Sequence, residues 1–328
     1  MIEVTLIIPV RNEESTIGLL WESIRSQTIH PTRIIFVDGG SIDQTVKFIR
    51  DLTSDDNSVI LIETDGAMPG EGRNIGIDAA QTDWIVLTDA GIRLAPNWLE
   101  LLMRRSQTDQ SLDVIYGTYE PIIQTFFDEC AAISYVPQRW ISSETRHTPF
   151  RGPTITSILL RRQVWAKVGG FPRWRASEDL IFMRNVELAA FKIGYEPEAI
   201  VHWRMPENLA GLFRKFSLYS THNVWAGMQA EWHYGIARHY LGYTVSVLIA
   251  LTIGQHLLLA IPFIAYVARA LLSLSRKSEF AFGRSFIPWA ANPFRIGLIM
   301  LILLTIDMAT FGGWLIALCR KKQDVSCQ

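Results

Sequence analysis

The chain has 328 residues, of which 49% are hydrophobic and 19% charged, and its formal net charge is −1. This length suits roughly two domains, and the composition excludes a disordered chain. The charge is unevenly distributed: residues 240–328 contain eight Lys/Arg and three Asp/Glu, which leaves 23 and 29 in residues 1–239. An acidic N-terminal part argues against nucleic acid as a partner, because binding a phosphate backbone needs a clustered positive field.

The cysteines and the N-terminus predict neither a disulfide framework nor export. Cys130, Cys319 and Cys327 lie far apart or in the tail, without a C-x-x-C pair or a His/Cys spacing suited to zinc. The first ten residues lack a basic region, and Pro9 interrupts their short apolar run. They do not predict a secretory signal, so we expect the first domain to stay in the cytoplasm.

Short β-branched runs alternate with longer amphipathic stretches over residues 3–95. This rhythm predicts parallel strands with helices on both faces of the sheet. The expected strands are Val4–Val10, Arg33–Val37, Val59–Glu63 and Trp84–Leu87, and the expected helices are Glu14–Gln27, Asp43–Thr53 with Ser41 as N-cap, and Gly72–Ala80. Such sheets bind ligands beyond the carboxyl ends of their strands. The polar residues that follow each strand are therefore the first candidates for a site.

The pattern beyond residue 96 is less regular. Phe126–Arg175 is rich in aromatic residues, Arg, Pro and Gly, which is compatible with a substrate-facing subdomain. Ser177–Phe191 is expected to be a helix with an acidic start, and Ala199–Val201 a strand. Glu207–Met228 is amphipathic. It is interpreted either as a helix in a membrane interface or as a packed surface helix.

Two apolar stretches near the C-terminus predict a membrane anchor. Tyr240–Ala268 has no Asp, Glu, Lys or Arg, and Ile296–Leu318 has only Asp307. Each is long enough to cross a hydrocarbon core of about 30 Å. The expected organisation is a domain at residues 1–205, an interface segment at 206–239, and an anchor at 240–328 with membrane segments near 240–268 and 296–318.

The distribution of positive charge leaves the membrane topology open. With a cytosolic first domain and two crossings, a basic loop lies outside, against the positive-inside tendency. That loop carries Arg269, Arg276, Lys277, Arg284 and Arg295. Either the tail Arg320–Lys322 decides the orientation, or the first segment doubles back near Pro262. Asp307 is interpreted either as a functional intramembrane carboxylate or as a residue that faces another helix.

The first two candidate motifs follow predicted strands. Pro9, Val10, Asn12 and Glu13 lie where a strand ends and a helix begins, so backbone N–H groups there could hold a nucleoside. An ordinary helix N-terminus with acidic residues is the simpler interpretation. In the second motif, Asp38 precedes Gly39 and Gly40, so the chain can turn sharply and leave a carboxylate free for a base or ribose.

The third motif, Pro69–Gly76, is a glycine-rich helix entry. It departs from the dinucleotide-binding G-x-G-x-x-G spacing because Ile75 stands at the last glycine, and it does not follow its strand directly. A nicotinamide-dependent enzyme is therefore disfavoured. Arg73, at the helix N-terminus, is interpreted as a phosphate contact.

The fourth motif, Trp84–Gly91, is a strand that ends in the carboxylate of Asp89. Together and in this order, the four motifs resemble those of the family 2 glycosyltransferases of the GT-A type. That family shows P-V-x-N-E, V-D-x-x-S-x-D-x-T, G-x-x-R-N-x-G and an Asp-x-Asp metal motif. The match continues with Gly169–Pro172 and with Ser177–Asp179, similar to the family's G-G-F and E-D pair. It covers about residues 3–205.

The resemblance implies an α/β fold of the GT-A nucleotide-diphospho-sugar transferase type, a Rossmann-like, mostly parallel sheet flanked by helices, with C-terminal transmembrane helices added. It also implies roles for the motif residues. Asp38 would bind the base or ribose of a nucleotide sugar in a pocket lined by Pro9 and Glu13, and Arg73 would face the diphosphate or its ribose. The implied donor-binding set is Pro9, Val10, Asn12, Glu13, Asp38, Gly39, Arg73 and Asp89.

The metal motif is incomplete. Asp89 matches its first Asp, but Gly91 replaces the second, so dependence on Mn²⁺ or Mg²⁺ is left open. His202 is a candidate replacement ligand with Asp89, because imidazole suits Mn²⁺ and a diphosphate supplies further oxygens. The alternative is a histidine that packs or hydrogen-bonds beside Trp203.

Glu178 and Asp179 are the candidate catalytic carboxylates, and Asp179 matches the family's catalytic base. Such a base removes the proton of the acceptor hydroxyl as that oxygen attacks the anomeric carbon. The single displacement inverts the configuration. On a helix, neighbouring side chains point about 100° apart, so only one of the two can face the acceptor. Alone, the pair could simply stabilise a helix N-terminus.

Processive members of the family carry a Q-x-x-R-W motif on an interface helix, whereas the corresponding Arg214–Tyr219 lacks it. The absence of this motif predicts a non-processive enzyme. Together with the resemblance and the apolar stretches, it leads us to expect a membrane-associated, inverting glycosyltransferase with its catalytic domain on the cytosolic side of the inner membrane. Its expected partners are a nucleotide sugar, with UDP favoured, and a lipid-linked or envelope-polysaccharide acceptor. Two alternatives are transfer to polyprenyl phosphate and a catalytically silent nucleotide-sugar-binding scaffold.

Overall fold

A computed structural model describes residues 3–136, 154–282 and 292–320. They fall into two compact units, one of residues 3–120 and 154–204 and one of residues 121–136, 205–282 and 292–320. The strands are β1 Val4–Val10, β2 Arg33–Asp38, β3 Val59–Glu63, β4 Trp84–Leu87, β5 Ile92–Leu94, β6 Val114–Ile122, β7 Ile158–Arg161 and β8 Ile193–Arg204. The helices are α1 Ile17–Arg25, α2 Thr45–Thr53, α3 Pro69–Ala79, α4 Trp98–Thr108, α5 Phe126–Tyr135, α6 Arg162–Val168, α7 Glu178–Leu188, α8 Leu209–Trp225, α9 Gln229–Trp232, α10 Tyr234–Ile253, a 3₁₀ helix His256–Ala260, α11 Ile261–Phe282 and α12 Pro293–Cys319.

The first unit is built on a sheet whose described strands run in the order β3-β2-β1-β4-β7-β6-β8-β5. Strands β1 to β4 pair in parallel, as the alternation of strands and helices predicts. Beyond β4 the sheet continues with antiparallel pairs, β4 with β7 and β7 with β6, and β5 pairs antiparallel with β8. The parallel half brings the carboxyl ends of β1, β2 and β4 to one edge.

Alternation along the central strands produces two cores, one on each face of the sheet. In β1, Leu6 and Ile8 join the core beneath α1 and α4, whereas Ile7 joins the core beneath α3, α6 and α7. Period-2 alternation places successive side chains on opposite faces. Burial on both faces explains why these strands read as continuous apolar runs.

The predicted elements differ from the observed ones mainly at their ends. Helix α1 begins at Ile17 rather than Glu14. Residues 13–16 form a turn, in which the N–H groups of Thr16 and Ile17 both donate to the Glu13 carbonyl. The expected N-cap Ser41 is wrong: the residue before α2 is Gln44, and the Ser41 hydroxyl donates to Asp38 instead. Both shifts lengthen the loops at the carboxyl edge.

The glycines of the third motif allow helix α3 to lie close to its neighbours. A Cβ on Gly76 would overlap Ile7 Cγ2, and one on Gly72 would lie 3.2 Å from Pro9 Cβ. A Cβ on Gly70 would lie 2.5 Å from the Pro172 carbonyl oxygen. The spacing that suggested a nucleotide fingerprint therefore serves helix packing.

We expect Gly76→Ala to destabilise the chain by about 1–3 kcal/mol, since inserting a methyl group into a packed contact forces its neighbours to move. Gly18→Ala in α1 is the matched control, because nothing lies within 4 Å of an added Cβ. That control should be neutral or stabilising by up to about 1 kcal/mol. Denaturant unfolding of both variants checks the difference, and equal unfolding midpoints would contradict it.

In the second unit, α8 packs along α12 through small and hydroxyl-bearing residues. Ser220 Oγ donates to the Thr310 carbonyl at 2.6 Å, and Thr221 Oγ1 to the Gly313 carbonyl at 3.0 Å. Gly313 has no room for a side chain because Ser220 Cβ would be 2.6 Å from its Cβ. Small residues let helix backbones approach closely. Residues 209–225 thus form a helix packed on α12, and the location of this helix in a membrane interface stays a prediction.

Three described helices are long and apolar enough to cross a membrane: Tyr234–Ile253, His256–Ser275 and Pro293–Cys319. The stretch expected as one segment near 240–268 is therefore divided between two helices. The division falls at Gly254, which has a φ of 69° and ends α10. The candidate span His256–Ser275 then consists of the 3₁₀ helix and the first part of α11, which begins at Ile261 directly before Pro262. Glycine ends a helix in the left-handed conformation, and proline is tolerated in the first turn of the next.

Asp307 lies inside a polar cluster to which all three apolar helices contribute. Its carboxylate accepts from Arg269 Nη1 at 2.6 Å and from the Tyr266 hydroxyl at 2.6 Å, and Tyr240 donates to it at 3.3 Å. The Asp307 side chain is 1% exposed. Of the two interpretations of Asp307, the structure shows the one in which it faces other helices.

Candidate active site

Two loops meet at the carboxyl edge of the first unit, one after β1 and one after β2. The backbone N–H of Asn12 donates to Ser41 Oγ at 2.9 Å, and that of Ile42 returns a bond to Asn12 Oδ1 at 2.9 Å. The Glu13 N–H donates to Thr45 Oγ1 at 2.7 Å. Asn12 has a φ of 55°, which turns the chain out of β1. The first two motifs thus form one ordered structure.

Asp38 holds the second loop in place. Its Oδ2 accepts from the N–H groups of Gly40 and Ser41 at 2.9 and 3.0 Å, and its Oδ1 accepts from Ser41 Oγ at 2.5 Å. The side chain is 3% exposed. The contact between Asp38 and a base or ribose stays a prediction. Gly39 lies against Ala67, whose carbonyl oxygen would be 2.5 Å from an added Cβ, and the Gly39 N–H donates to the Val10 carbonyl.

Arg73 joins two carboxylates from distant parts of the chain. Its Nη2 donates to Asp89 Oδ1 at 2.6 Å, and its Nη1 donates to Glu178 Oε1 at 2.9 Å. Its side chain is 3% exposed. Burial works to lower the pKa of Arg73, but the two carboxylates outweigh it and the net shift is upward. The predicted contact with a donor diphosphate is untested, whereas the observed role of Arg73 is to hold Asp89 and Glu178.

The neighbouring Asn74 connects α3 to the segment that leads into α7. Its Oδ1 accepts from Trp165 Nε1 at 2.8 Å and from the Phe171 N–H at 2.9 Å, while its Nδ2 donates to the Phe171 carbonyl at 2.8 Å. The Phe171 ring stacks on Phe182 of α7 at 4.0 Å. Asn74 was not predicted as a site residue, although it belongs to the third motif. Its side chain aligns α7, the helix that carries Glu178 and Asp179.

The two carboxylates at the start of α7 have different surroundings. Glu178 is buried against Arg73, whereas Asp179 is partly buried and its Oδ1 accepts the N–H of Leu180 at 2.8 Å. Burial, helped by the charge of Asp179, raises the pKa of Glu178 to about 7 against the influence of Arg73. Burial also raises the pKa of Asp179; the charge of Arg73 opposes this shift and the charge of Asp89 adds to it. In the described part of the chain, the carboxylate of this pair that accepts a hydrogen bond from Arg73 is Glu178.

Glu13 lies beside the glycine that interrupts the metal motif. An added Cβ on Gly91 would be 3.3 Å from Glu13 Oε2 and 3.8 Å from Oε1. Burial raises the pKa of Glu13, a bond from Thr16 opposes this, and the charge of Asp89 adds to it. Carboxylate oxygens suit Mg²⁺ and Mn²⁺, which often take one or two carboxylates together with substrate phosphates. The residues present fit such an ion bound with a diphosphate.

His202 lies on β8 opposite Arg93 of β5. Burial lowers the pKa of His202, and its charged neighbours are Glu120 and Arg93. Among the described residues, no group of three or more His, Cys, Asp or Glu side chains could hold a metal ion. The pairing of His202 with Asp89 stays a prediction that no observed contact supports.

Known structures share this architecture. The chain resembles the mannosyltransferase PcManGT of Pyrobaculum calidifontis in complex with GDP-Man and Mn²⁺, with a TM-score of 0.61, 16% identity, and coverage of 98% of this chain and 88% of that one. It also resembles the fragment 1-349 of S. aureus TarS in complex with UDP-GlcNAc, with a TM-score of 0.53, 14% identity, and coverage of 95% and 92%. The fold is therefore the GT-A fold of glycosyltransferases.

The sequence identifies the family within this class. The family model described as "Glycosyl transferase family 2" matches residues 5–160. The chain is 23% identical over 218 residues to the O-antigen chain rhamnosyltransferase RfbN of Salmonella typhimurium, which covers 61% of this chain and 65% of that one. These comparisons support a family 2 glycosyltransferase, and the family match runs from β1 to β7 of the first unit. The chain spans less than two thirds of the length of the curated relatives it matches, from 17% to 65%.

Proposed function

We propose that the chain is a membrane-associated, inverting and non-processive glycosyltransferase. It moves one sugar from a nucleotide-sugar donor to a lipid-linked or envelope-polysaccharide acceptor. The observation that carries the proposal is the placement of Asp179 in the first turn of α7. There, Arg73 donates to the neighbouring Glu178 and to Asp89, and we assign the acceptor hydroxyl to Asp179.

Asp179 acts as the general base of a single displacement. Its carboxylate takes the proton of the acceptor hydroxyl, and that oxygen forms a bond to the anomeric carbon. The bond between this carbon and the donor's diphosphate oxygen breaks at the same time, so the nucleotide diphosphate leaves with the electron pair. Attack from the side opposite the leaving group inverts the configuration.

The donor binds at the carboxyl edge of β1, β2 and β4. The backbone of Pro9, Val10 and Gly39, with the polar side chains of Asn12 and Glu13, lines the nucleoside end of this pocket. A divalent ion, when bound, neutralises the charge that develops on the departing diphosphate. Asp89 and residues near it would hold that ion. Related structures contain UDP-GlcNAc or GDP-Man, so the donor panel must include both bases.

The apolar helices support a membrane location and an acceptor presented at the cytosolic surface of the inner membrane. Three crossings would return the basic residues Arg276, Lys277 and Arg284 to the cytosolic side, in keeping with the positive-inside tendency. The tail Arg320–Lys322 would then lie outside. A phosphatase reporter joined after residue 322 should be active outside the membrane. Activity of the same reporter only in the cytosol would exclude three crossings.

The function is tested by offering the purified full chain a panel of UDP-, GDP- and dTDP-linked sugars, with a membrane extract as acceptor. Transfer of labelled sugar into lipid-linked or polysaccharide material, with inversion at the anomeric carbon, is the expected result. Chains extended by many sugars would contradict the non-processive assignment.

Two other functions are distinguished by the same assay. If sugar is transferred to polyprenyl phosphate when no larger acceptor is present, the acceptor is that lipid and not a polysaccharide. Gly91 favours a second candidate, a nucleotide-sugar-binding scaffold without activity. Binding of a donor without its hydrolysis or transfer, with and without Mn²⁺, would support the scaffold.

The pH dependence of transfer follows from the raised pKa values at α7. We expect kcat/KM to rise with pH through a midpoint above the ordinary aspartate value of 3.8, because Asp179 must be ionised and burial raises its pKa. The charge of Asp89 adds to this shift, so Asp89→Asn should move the midpoint to lower pH. A pH–rate profile of both proteins checks this. A wild-type midpoint at or below 3.8 would contradict it.

A further inference from the structure

Gly91 stands where the metal motif has its second Asp, and the carboxylate of Glu13 lies beside this position. Gly91 has a φ of 71° and follows Asp89 by two residues, so an Asp here would extend from the Cβ position. That Cβ position is 3.3 Å from Glu13 Oε2 and 3.8 Å from Oε1. The oxygens of Glu13 therefore lie within the reach of the missing side chain.

The fold places Glu13 beside Asp89. Strands β1 and β4 pair in parallel, with Ile7 opposite Leu87, so the loops that follow them leave the same edge of the sheet. Asp89 is among the charges that act on Glu13. The turn at Asn12 and the bond from the Glu13 N–H to Thr45 Oγ1 fix where the Glu13 side chain begins.

Each carboxylate retains an oxygen for an ion. Arg73 Nη2 donates to Oδ1 of Asp89, which leaves Oδ2 without a bond among the described residues. Thr16 Oγ1 donates to Oε2 of Glu13, and no hydrogen bond to Oε1 is seen within residues 3–136, 154–282 and 292–320. Two carboxylates are too few for a permanent protein site, but they suffice for Mn²⁺ or Mg²⁺ that arrives with a diphosphate and keeps several waters.

We propose that Glu13 replaces the missing second carboxylate of the metal motif and, with Asp89, holds the divalent ion of a nucleotide diphosphate. This inference rests on the proposed function. It changes the role of Glu13 from lining a nucleoside pocket to ligating the metal.

The test measures metal binding rather than turnover. Mn²⁺ is titrated into the purified full chain with UDP or GDP, whichever the wild-type chain binds, and free Mn²⁺ is followed by electron paramagnetic resonance. Glu13→Gln should raise the apparent Kd for Mn²⁺ by about tenfold or more, the loss of about 1.4 kcal/mol. Glu14→Gln is the matched control, because Glu14 is exposed and its carboxylate accepts from the Gln44 N–H.

A compensating variant tests the geometry. Gly91→Asp in the Glu13→Gln background should recover most of the lost Mn²⁺ affinity, since Asp tolerates the left-handed backbone better than most residues. Equal Mn²⁺ affinity of Glu13→Gln and Glu14→Gln, with both folded by circular dichroism, would overturn the proposal. So would nucleotide binding that is unchanged by chelation. Failure of the wild-type chain to bind any nucleotide diphosphate, with or without Mn²⁺, would instead refute the proposed function.

Discussion

Asp179→Asn is expected to lower sugar transfer by roughly 10²–10⁴-fold, the contribution typical of a positioned general base. The amide keeps the shape of the side chain but cannot take the acceptor's proton. Binding of the donor nucleotide should change little, because Asp179 faces the acceptor in the proposed mechanism. Transfer and nucleotide binding are measured on the same preparation of full-length protein.

Asp78→Asn is the control for this variant, since Asp78 is exposed on α3 and makes only a 3.9 Å ion pair with Arg162. It should transfer sugar at the wild-type rate. Undiminished turnover of Asp179→Asn would remove Asp179 from the mechanism. Loss of nucleotide binding together with transfer would show that Asp179 contributes to the donor pocket instead.

Arg73→Met is expected to have the largest effect on stability. It leaves Glu178 buried without a cation, and the cost of keeping that charge buried grows by about 1.4 kcal/mol for each pH unit above the wild-type pKa of Glu178. Burial already raises the pKa of Glu178 to about 7 in the wild-type chain, above the ordinary 4.5. Below pH 7 the proton neutralises Glu178 in both proteins, so the loss should be small there. The loss in free energy of unfolding should grow as the pH rises above 7, because ionised Glu178 has Arg73 as a partner only in the wild-type chain.

Unfolding free energies at pH 5.5 and pH 8.5 check this expectation. Arg173→Met is the control, because Arg173 is 65% exposed and pairs with Glu71 at the surface. Such exposed pairs are worth about 0–1 kcal/mol, so this variant should be nearly neutral at both values. The double variant with Arg73→Met and Glu178→Met should regain stability without regaining activity. A pH-independent loss in Arg73→Met would mean that Glu178 is not the group left without a partner.

The parallel half of the sheet was predictable from local pattern. Val4–Val10, Val59–Glu63 and Trp84–Leu87 have the predicted bounds, because each is a short apolar run closed by polar or glycine residues. The antiparallel half was not. Strands β6 and β7 pair although many residues separate them in the sequence. Which strands lie next to them in the sheet depends on tertiary packing, not on the local sequence pattern.

The apolar C-terminal part shows the same limit. Hydropathy alone predicted that 240–268 and 296–318 suit a membrane, and the candidate helices overlap both stretches. The break at Gly254 was missed because the composition around it stays apolar. One of the two topologies left open from the sequence has the first segment doubling back near Pro262, and in the structure α10 ends at Ile253 and α11 begins at Ile261.

The sequence by itself determined the class of this protein, since six motifs in the family's order specify which polar residues follow which strands. Only the tertiary structure decided what those residues touch. Arg73 donates to Glu178, which lies 105 positions further along the chain, and the carboxylate of Glu13 lies beside Gly91. Spacing along a chain fixes which side chains share an element, but ion pairs and short carboxylate contacts depend on where separate elements pack. That is why the position of Arg73 between two carboxylates became visible only in the structure, while its contact with a phosphate stays a prediction.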